Sequence, residues 1–204
     1  MTEAARGRYP HDTLMYILVD VEATGISPYS GVMTEFGAVE LKSRASFHGK
    51  LWEADPDPEN PAKPKITGKQ SNKQFTKEYD VMNNFANWLN RICKDSRPIF
   101  VSDNNGYDFQ WINYYFDKTL GKNPFGHSSR RISDFWAGLN KNFSNTQKWK
   151  KYRMTEHDHN PVNDAMGNAE ALEKILQIAE GAEDGFANLA DHAIVDLQAT
   201  NKLY

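Results

Sequence analysis

Two spacings of apolar positions alternate along this chain, and together they outline its elements. YILVDVE, residues 16–22, is a run of buried-type residues that ends on two acids. VMTEFGAVELK follows, with apolar Val32, Phe36, Val39 and Leu41, and with Gly37 offering room for close packing. RASFHGKLWE then predicts a third strand, so the first fifty residues read as an antiparallel meander. The stretch ADPDPENPAKPKITGKQSNKQ is rich in proline and polar residues and predicts an irregular excursion.

The spacing then becomes helical. In KEYDVMNNFANWLNRIC, Val81, Phe85, Trp88, Leu89 and Ile92 fall on one face. RPIFVSDN predicts a short buried strand, and FQWINYYFDKTL a second helix. A third helix is predicted over 132–139. A long last helix starts at Pro161, with Asn160 as its cap and an apolar stripe of Val162, Ala165, Met166, Ala169, Leu172, Leu176 and Ala179. Residues 181–204 have the composition of one more helix, packed on the domain or on a second subunit. Three strands followed by helices alternating with a further strand predict an α/β fold with a mixed sheet.

Composition narrows the class. The 204 residues, 39% hydrophobic and 12% aromatic, suffice for one substantial core. A single cysteine, Cys93, excludes an intramolecular disulfide and suits a reducing compartment. No apolar run approaches the ~20 residues of a membrane helix, and the first residues lack the apolar core of a signal peptide. A soluble, cytoplasmic protein is the expectation. The net charge of −3 argues against a broad polyanion-binding surface, although acids that hold divalent cations also count as negative charge.

Three acidic sites stand out against this background. Asp20 and Glu22 are separated by one residue at the end of a strand, so both project from the same face. The Thr24–Gly25 break behind them lets the backbone turn sharply. Asp103 and Asp108 compete as the acid of the turn SDNNGYD. His159 precedes the last helix, and Asp164 lies in its first turns, where the helix dipole favours an acid in any case.

In this order and context, Asp20, Glu22, Asp108, His159 and Asp164 resemble the DEDDh (DnaQ-like) 3′–5′ exonuclease family of the ribonuclease H-like fold. The three motifs stand here as DVEATG, NNGYD and HNPVND, and KITGKQ resembles a stretch found ahead of the second motif. The resemblance covers residues 15–180, leaving 1–14 as an extension and 181–204 as a C-terminal segment. It selects Asp108 over Asp103, because the family's acid follows an aromatic residue. Pro161 replaces the usual alanine of the third motif, a change that a first helical turn tolerates.

The resemblance also implies a mechanism. Two Mg²⁺ or Mn²⁺ ions, held by Asp20, Glu22, Asp108 and Asp164, would serve phosphodiester hydrolysis, and hard oxygen ligands suit those ions. His159 would be the general base. The 3′ end of a single strand would lie against Ala23, Thr24, Gly25 and Ile26, with Tyr107 beside it as a stacking or packing neighbour. The run KWKKYR, residues 148–153, offers phosphate contacts or a solvated charged face.

The expected activity is removal of nucleoside 5′-monophosphates from RNA or DNA. Two alternatives stay open: an oligoribonuclease-like enzyme for very short RNAs, and a non-catalytic nucleic-acid-binding module. Monomer and homodimer are equally open.

Overall fold

The computed structural model describes residues 14–52 and 72–200, with side chains left aside for 72–73 and 182–200. The sheet has five strands: β1 (Leu14–Ala23), β2 (Met33–Glu40), β3 (Ser46–Lys50), β4 (Arg97–Ser102) and β5 (Ser129–Arg131). The helices are α1 (Asn72–Cys93), α2 (Asn105–Leu120), α3 (Ile132–Leu139) and α4 (Pro161–Thr200). Strand order is β3-β2-β1-β4-β5. The first three strands pair antiparallel, while β4 and β5 join parallel, so the predicted mixed sheet is what the chain forms.

Strand β1 lies at the centre, and its alternation assigns its side chains to two layers. Ile17, Val19 and Val21 face a core built with α1 and α2. Leu18 faces a second core built with α3 and α4. Tyr16, Asp20 and Glu22 share the parity of Leu18, so both acids open towards the α4 side.

The first core is largely aromatic. Phe85 of α1 lies within 4.8–6.1 Å, centroid to centroid, of Phe36, Phe47, Trp88, Phe116 and Phe125. The buried side of α1 runs through Met82, Phe85, Leu89 and Cys93, with Val81 and Ile92 on its flanks. Of the predicted stripe, Phe85, Trp88 and Leu89 are buried, while at its two ends Met82 and Cys93 are buried more deeply than Val81 and Ile92. Inside this core, Glu78 is wholly buried and pairs with Lys118 of α2 at 2.6 Å. Trp52 Nε1 donates to the same carboxylate at 3.3 Å. A buried charge persists only when paired in this way.

Strand β5 was not anticipated, because Ser-Arg-Arg carries no apolar signal; parallel pairing with β4 defines it. Helix α4 was expected to stop near residue 180, but its backbone continues without a break to Thr200. The packing expected of 181–204 and the stretch KITGKQ lie outside the described residues. Buried Ala171 and Ile175 extend the α4 stripe beyond the positions predicted for it.

Candidate active site

Gly37 sits directly opposite Asp20 in the β1–β2 register. A Cβ at Gly37 would fall 2.2 Å from the carbonyl oxygen of Pro161. Only hydrogen fits there, and backbone of α4 thus rests on backbone of β2. This contact brings the first turn of α4, and Asp164 with it, over the end of β1. Carboxylate oxygens of Asp20, Glu22 and Asp164 lie within 4.8 Å of one another.

Asp108 enters from the first turn of α2, beside the Val21 backbone of β1. It is buried, and its Oδ2 has no hydrogen-bond partner. Burial raises its carboxyl to about 8, although the Ser102 hydroxyl and the Val21 backbone amide favour the ionised form. Burial also holds Asp20 well above the usual carboxylate range, and Asp108, Asp164 and Glu22 add to the shift. Glu22 is raised by burial as well, with His159 acting in the opposite sense. Asp164 is buried too, and its Oδ2 has no partner. Unpartnered buried carboxylate oxygens, in a group of acids that repel one another, form a donor set suited to hard divalent cations.

The competing acid is spent elsewhere. Asp103 Oδ2 lies 2.7 Å from Lys150 Nζ, and its Oδ1 accepts from the Ser133 hydroxyl at 2.9 Å. Asp103 thereby ties the 3-10 turn Lys148–Tyr152 to α3, leaving Asp108 as the acid of that turn near the cluster.

Two neighbours of Asp164 escaped the sequence reading. Arg153 Nη2 lies 3.1 Å from both Oδ1 and the main-chain oxygen of Asp164. Its guanidinium packs where a Cβ on Gly167 would stand, at 2.6 Å from Nε. His157 Nδ1 lies 2.6 Å from the same Oδ1. The signal for Arg153 was present in KWKKYR but pointed to phosphates. In the structure Lys150 and Arg153 of that run meet acids, and Trp149 is buried beneath it. The signal for His157 was the i, i+2 pair with His159, which only a fold could connect to Asp164.

His159 precedes α4, is exposed, and has φ 61°, a left-handed conformation. A ring nitrogen of His159 falls within 4.8 Å of Asp164. The turn around it is braced: Asp158 accepts from the Asn160 amide at 2.9 Å and from Asn163 Nδ2 at 2.8 Å. Asn160 Oδ1 accepts from the Val162 amide at 3.0 Å, as a cap should.

The loop after Glu22 completes the site. Thr24 is bonded to Val32 through both backbone and side chain. Gly25 crosses Gly31 so closely that a Cβ on Gly31 would meet the Gly25 backbone at 2.6 Å. Ile26 is 82% exposed at the tip of this loop. Tyr107 does not present its face to the site as a free stacking platform. Its hydroxyl donates to the Gly25 carbonyl at 3.0 Å, and its ring packs edge-on against Trp111. Gln110 adds a bond to the Ile26 carbonyl at 3.1 Å. Phe109 packs against Phe100 in the core.

Acids from two strand-end positions and two helices, on a mixed sheet of this order, stand on a ribonuclease H-like fold, and the chain is similar in sequence and in fold to 3′–5′ exonucleases. It is 29% identical over 184 residues to the 3′–5′ DNA exonuclease Cap18 of Escherichia coli, an alignment covering 83% of this chain and 95% of that protein. Its fold is similar to that of E. coli ExoI, solved in a zinc-bound form as a complex with single-stranded DNA. The TM-score is 0.50 at 14% identity, over 84% of this chain and 41% of the ExoI chain. This chain therefore spans less than half the length of ExoI. No protein-family model matches it. Among the described residues, no helix is long and apolar enough to cross a membrane.

Proposed function

We propose that the protein shortens single-stranded DNA from its 3′ end, releasing nucleoside 5′-monophosphates in a reaction that depends on two divalent cations, Mg²⁺ or Mn²⁺. The observation that carries this reading is the convergence of Asp20, Glu22, Asp108 and Asp164, with His159 beside them. A binding module has no use for four acids gathered where burial and mutual repulsion oppose their charge. DNA is favoured as substrate by the similarity to Cap18, which is named a DNA exonuclease, and a single strand by the fold shared with ExoI, solved with such a strand.

Asp20, Glu22, Asp108 and Asp164 would hold the cations, which supply water activation and charge stabilisation at the phosphodiester. The remaining work belongs to side chains and backbone. His159, exposed and next to Glu22, takes the proton from the attacking water. The loop 23–26, fixed by Tyr107 and Thr24, receives the terminal sugar against its backbone. Ile26 projects beyond that loop and separates the terminal base from its neighbour.

The test uses 5′-labelled DNA and RNA oligonucleotides with Mg²⁺ or Mn²⁺, together with Asp20→Ala and His159→Ala. The expected result is a ladder shortening from the 3′ end, faster on DNA, strictly dependent on metal and lost in both variants. Variants that degrade as well as wild type would refute the proposal. Cleavage confined to two- to five-residue RNA would replace it with the short-RNA scavenger.

A further inference from the structure

Asp164 faces two different sets of neighbours. With Asp20 and Glu22 it forms a group of carboxylates; with His157 and His159 it forms a second group, whose ligating atoms also lie within 4.8 Å of one another. His157 Nδ1 is 2.6 Å from Asp164 Oδ1, and the two imidazole rings stand 4.6 Å apart. The Asp164 side chain is only 2% exposed, and its Oδ2 has no partner, whereas His157 is 55% exposed and free to adjust. The hydrogen bonds from Asp158 and Asn160 hold the turn that carries both rings at the mouth of the site.

The two groups differ in chemistry. An all-carboxylate set prefers Mg²⁺ or Mn²⁺, while imidazoles favour Zn²⁺, Ni²⁺ and Cu²⁺. Two histidines and one carboxylate make a three-ligand zinc site with a fourth position left for water. An ion there would replace the proton shared by His157 and Asp164. Tetrahedral bonds of about 2.0–2.1 Å would require the two ligand atoms to part by under about 1 Å. The exposed His157 side chain can make that move. Arg153, on the same Oδ1, opposes the added charge and keeps the affinity moderate.

We propose that His157, His159 and Asp164 form an inhibitory site for zinc-type ions, separate from the carboxylate site but sharing Asp164 with it. Binding would withdraw His159 from proton transfer and Asp164 from the acid cluster together. The inhibitory part rests on the exonuclease reading; the binding part does not.

The experiment follows Co²⁺ as a spectroscopic stand-in for Zn²⁺, added to metal-free full-length protein. Tetrahedral, nitrogen-ligated Co²⁺ absorbs visible light strongly, and octahedral carboxylate-bound Co²⁺ weakly. We expect an intense band in wild type and in Asp20→Asn, bleached by Zn²⁺ and absent in His157→Asn and His157→Gln. In parallel, Zn²⁺ should inhibit Mn²⁺-driven cleavage by wild type, and His157→Asn, compared with its own zinc-free rate, should need at least tenfold more Zn²⁺ for the same fractional inhibition. Absence of the band in wild type, or equal Zn²⁺ sensitivity in folded His157→Asn, would overturn the proposal. Inactive protein that still shows the His157-dependent band would sink the exonuclease reading and leave the metal site standing.

Discussion

Arg153 grips Asp164 twice, through the carboxylate and through the main-chain oxygen, with both contacts at 3.1 Å. The guanidinium is itself nearly buried, and its charge lowers the cost of ionising Asp20. Under the proposed function, Arg153 is thus a positioning residue for Asp164. Arg153→Met should lower kcat by about 10–100-fold, in keeping with a misplacement of about 1 Å. It should also destabilise the metal-free protein by about 3–5 kcal/mol, because a buried charge loses its partner. Arg153→Lys should recover part of the stability but little of the rate, since the shorter lysine side chain would not carry its nitrogen to the two oxygens that Nη2 contacts. Thermal melts without metal, beside metal titrations of activity, separate the two effects; wild-type behaviour in both would remove Arg153 from the site.

The acid cluster predicts how metal-free stability varies with pH. Asp20, Glu22 and Asp108 all have raised pKa values in the folded chain, with Asp108 at about 8. Unfolded carboxyls titrate near 4. Between these values the folded state holds more protons than the unfolded one, so stability falls as pH rises. The melting temperature of metal-free protein should therefore drop on going from about pH 5 to about pH 9, and Mg²⁺ or Mn²⁺ should restore it most at the alkaline end. Asp108→Asn should flatten the profile. A melting temperature independent of pH and metal would contradict the arrangement.

At Gly37 the prediction is steric. Gly37→Ala places a methyl group 2.2 Å from the Pro161 carbonyl oxygen, and neither backbone can give way without moving α4. The cost should be about 1–3 kcal/mol or more. Activity should fall by about 100-fold even where the protein remains folded, because Asp164 retreats from Asp20. Denaturant titration and initial rates on one preparation check both.

Tyr107 offers a milder test. Tyr107→Phe removes the 3.0 Å bond to the Gly25 carbonyl and leaves the ring contact with Trp111. The loss of about 1 kcal/mol should appear as a KM for oligonucleotide raised about fivefold, with the metal dependence unchanged. An altered metal requirement with normal KM would show that the hydroxyl serves the acids instead of the loop.

Much of this site was legible because its parts obey local rules. Asp20 and Glu22 share a face through the period of a strand, and Asp164 and Asn160 mark a helix start. The choice of Asp108 over Asp103 rested on a family pattern; in the fold, Lys150 and Ser133 engage Asp103, while Asp108 is buried with one oxygen unpartnered. What stayed hidden was contact between elements. Arg153 sits in a basic run that reads as surface, yet Gly167 leaves room for it beneath α4. His157 needed the turn around Asp158 to reach Asp164. Strand β5 escaped because its pairing partner, not its composition, makes it a strand.

Strand β1 is paired with β4 from Leu14 to Leu18 and with β2 from Ile17 to Ala23. Asp20 and Glu22 therefore stand just past the doubly paired stretch, held by β2 on one side, whereas His157 and His159 ride on an exposed turn. Amides of Ile17 and Leu18, paired on both sides, should exchange with solvent only at the rate of global unfolding, and those of the histidine turn through small local openings. Heat would accordingly loosen the histidine turn before it parts the central strands.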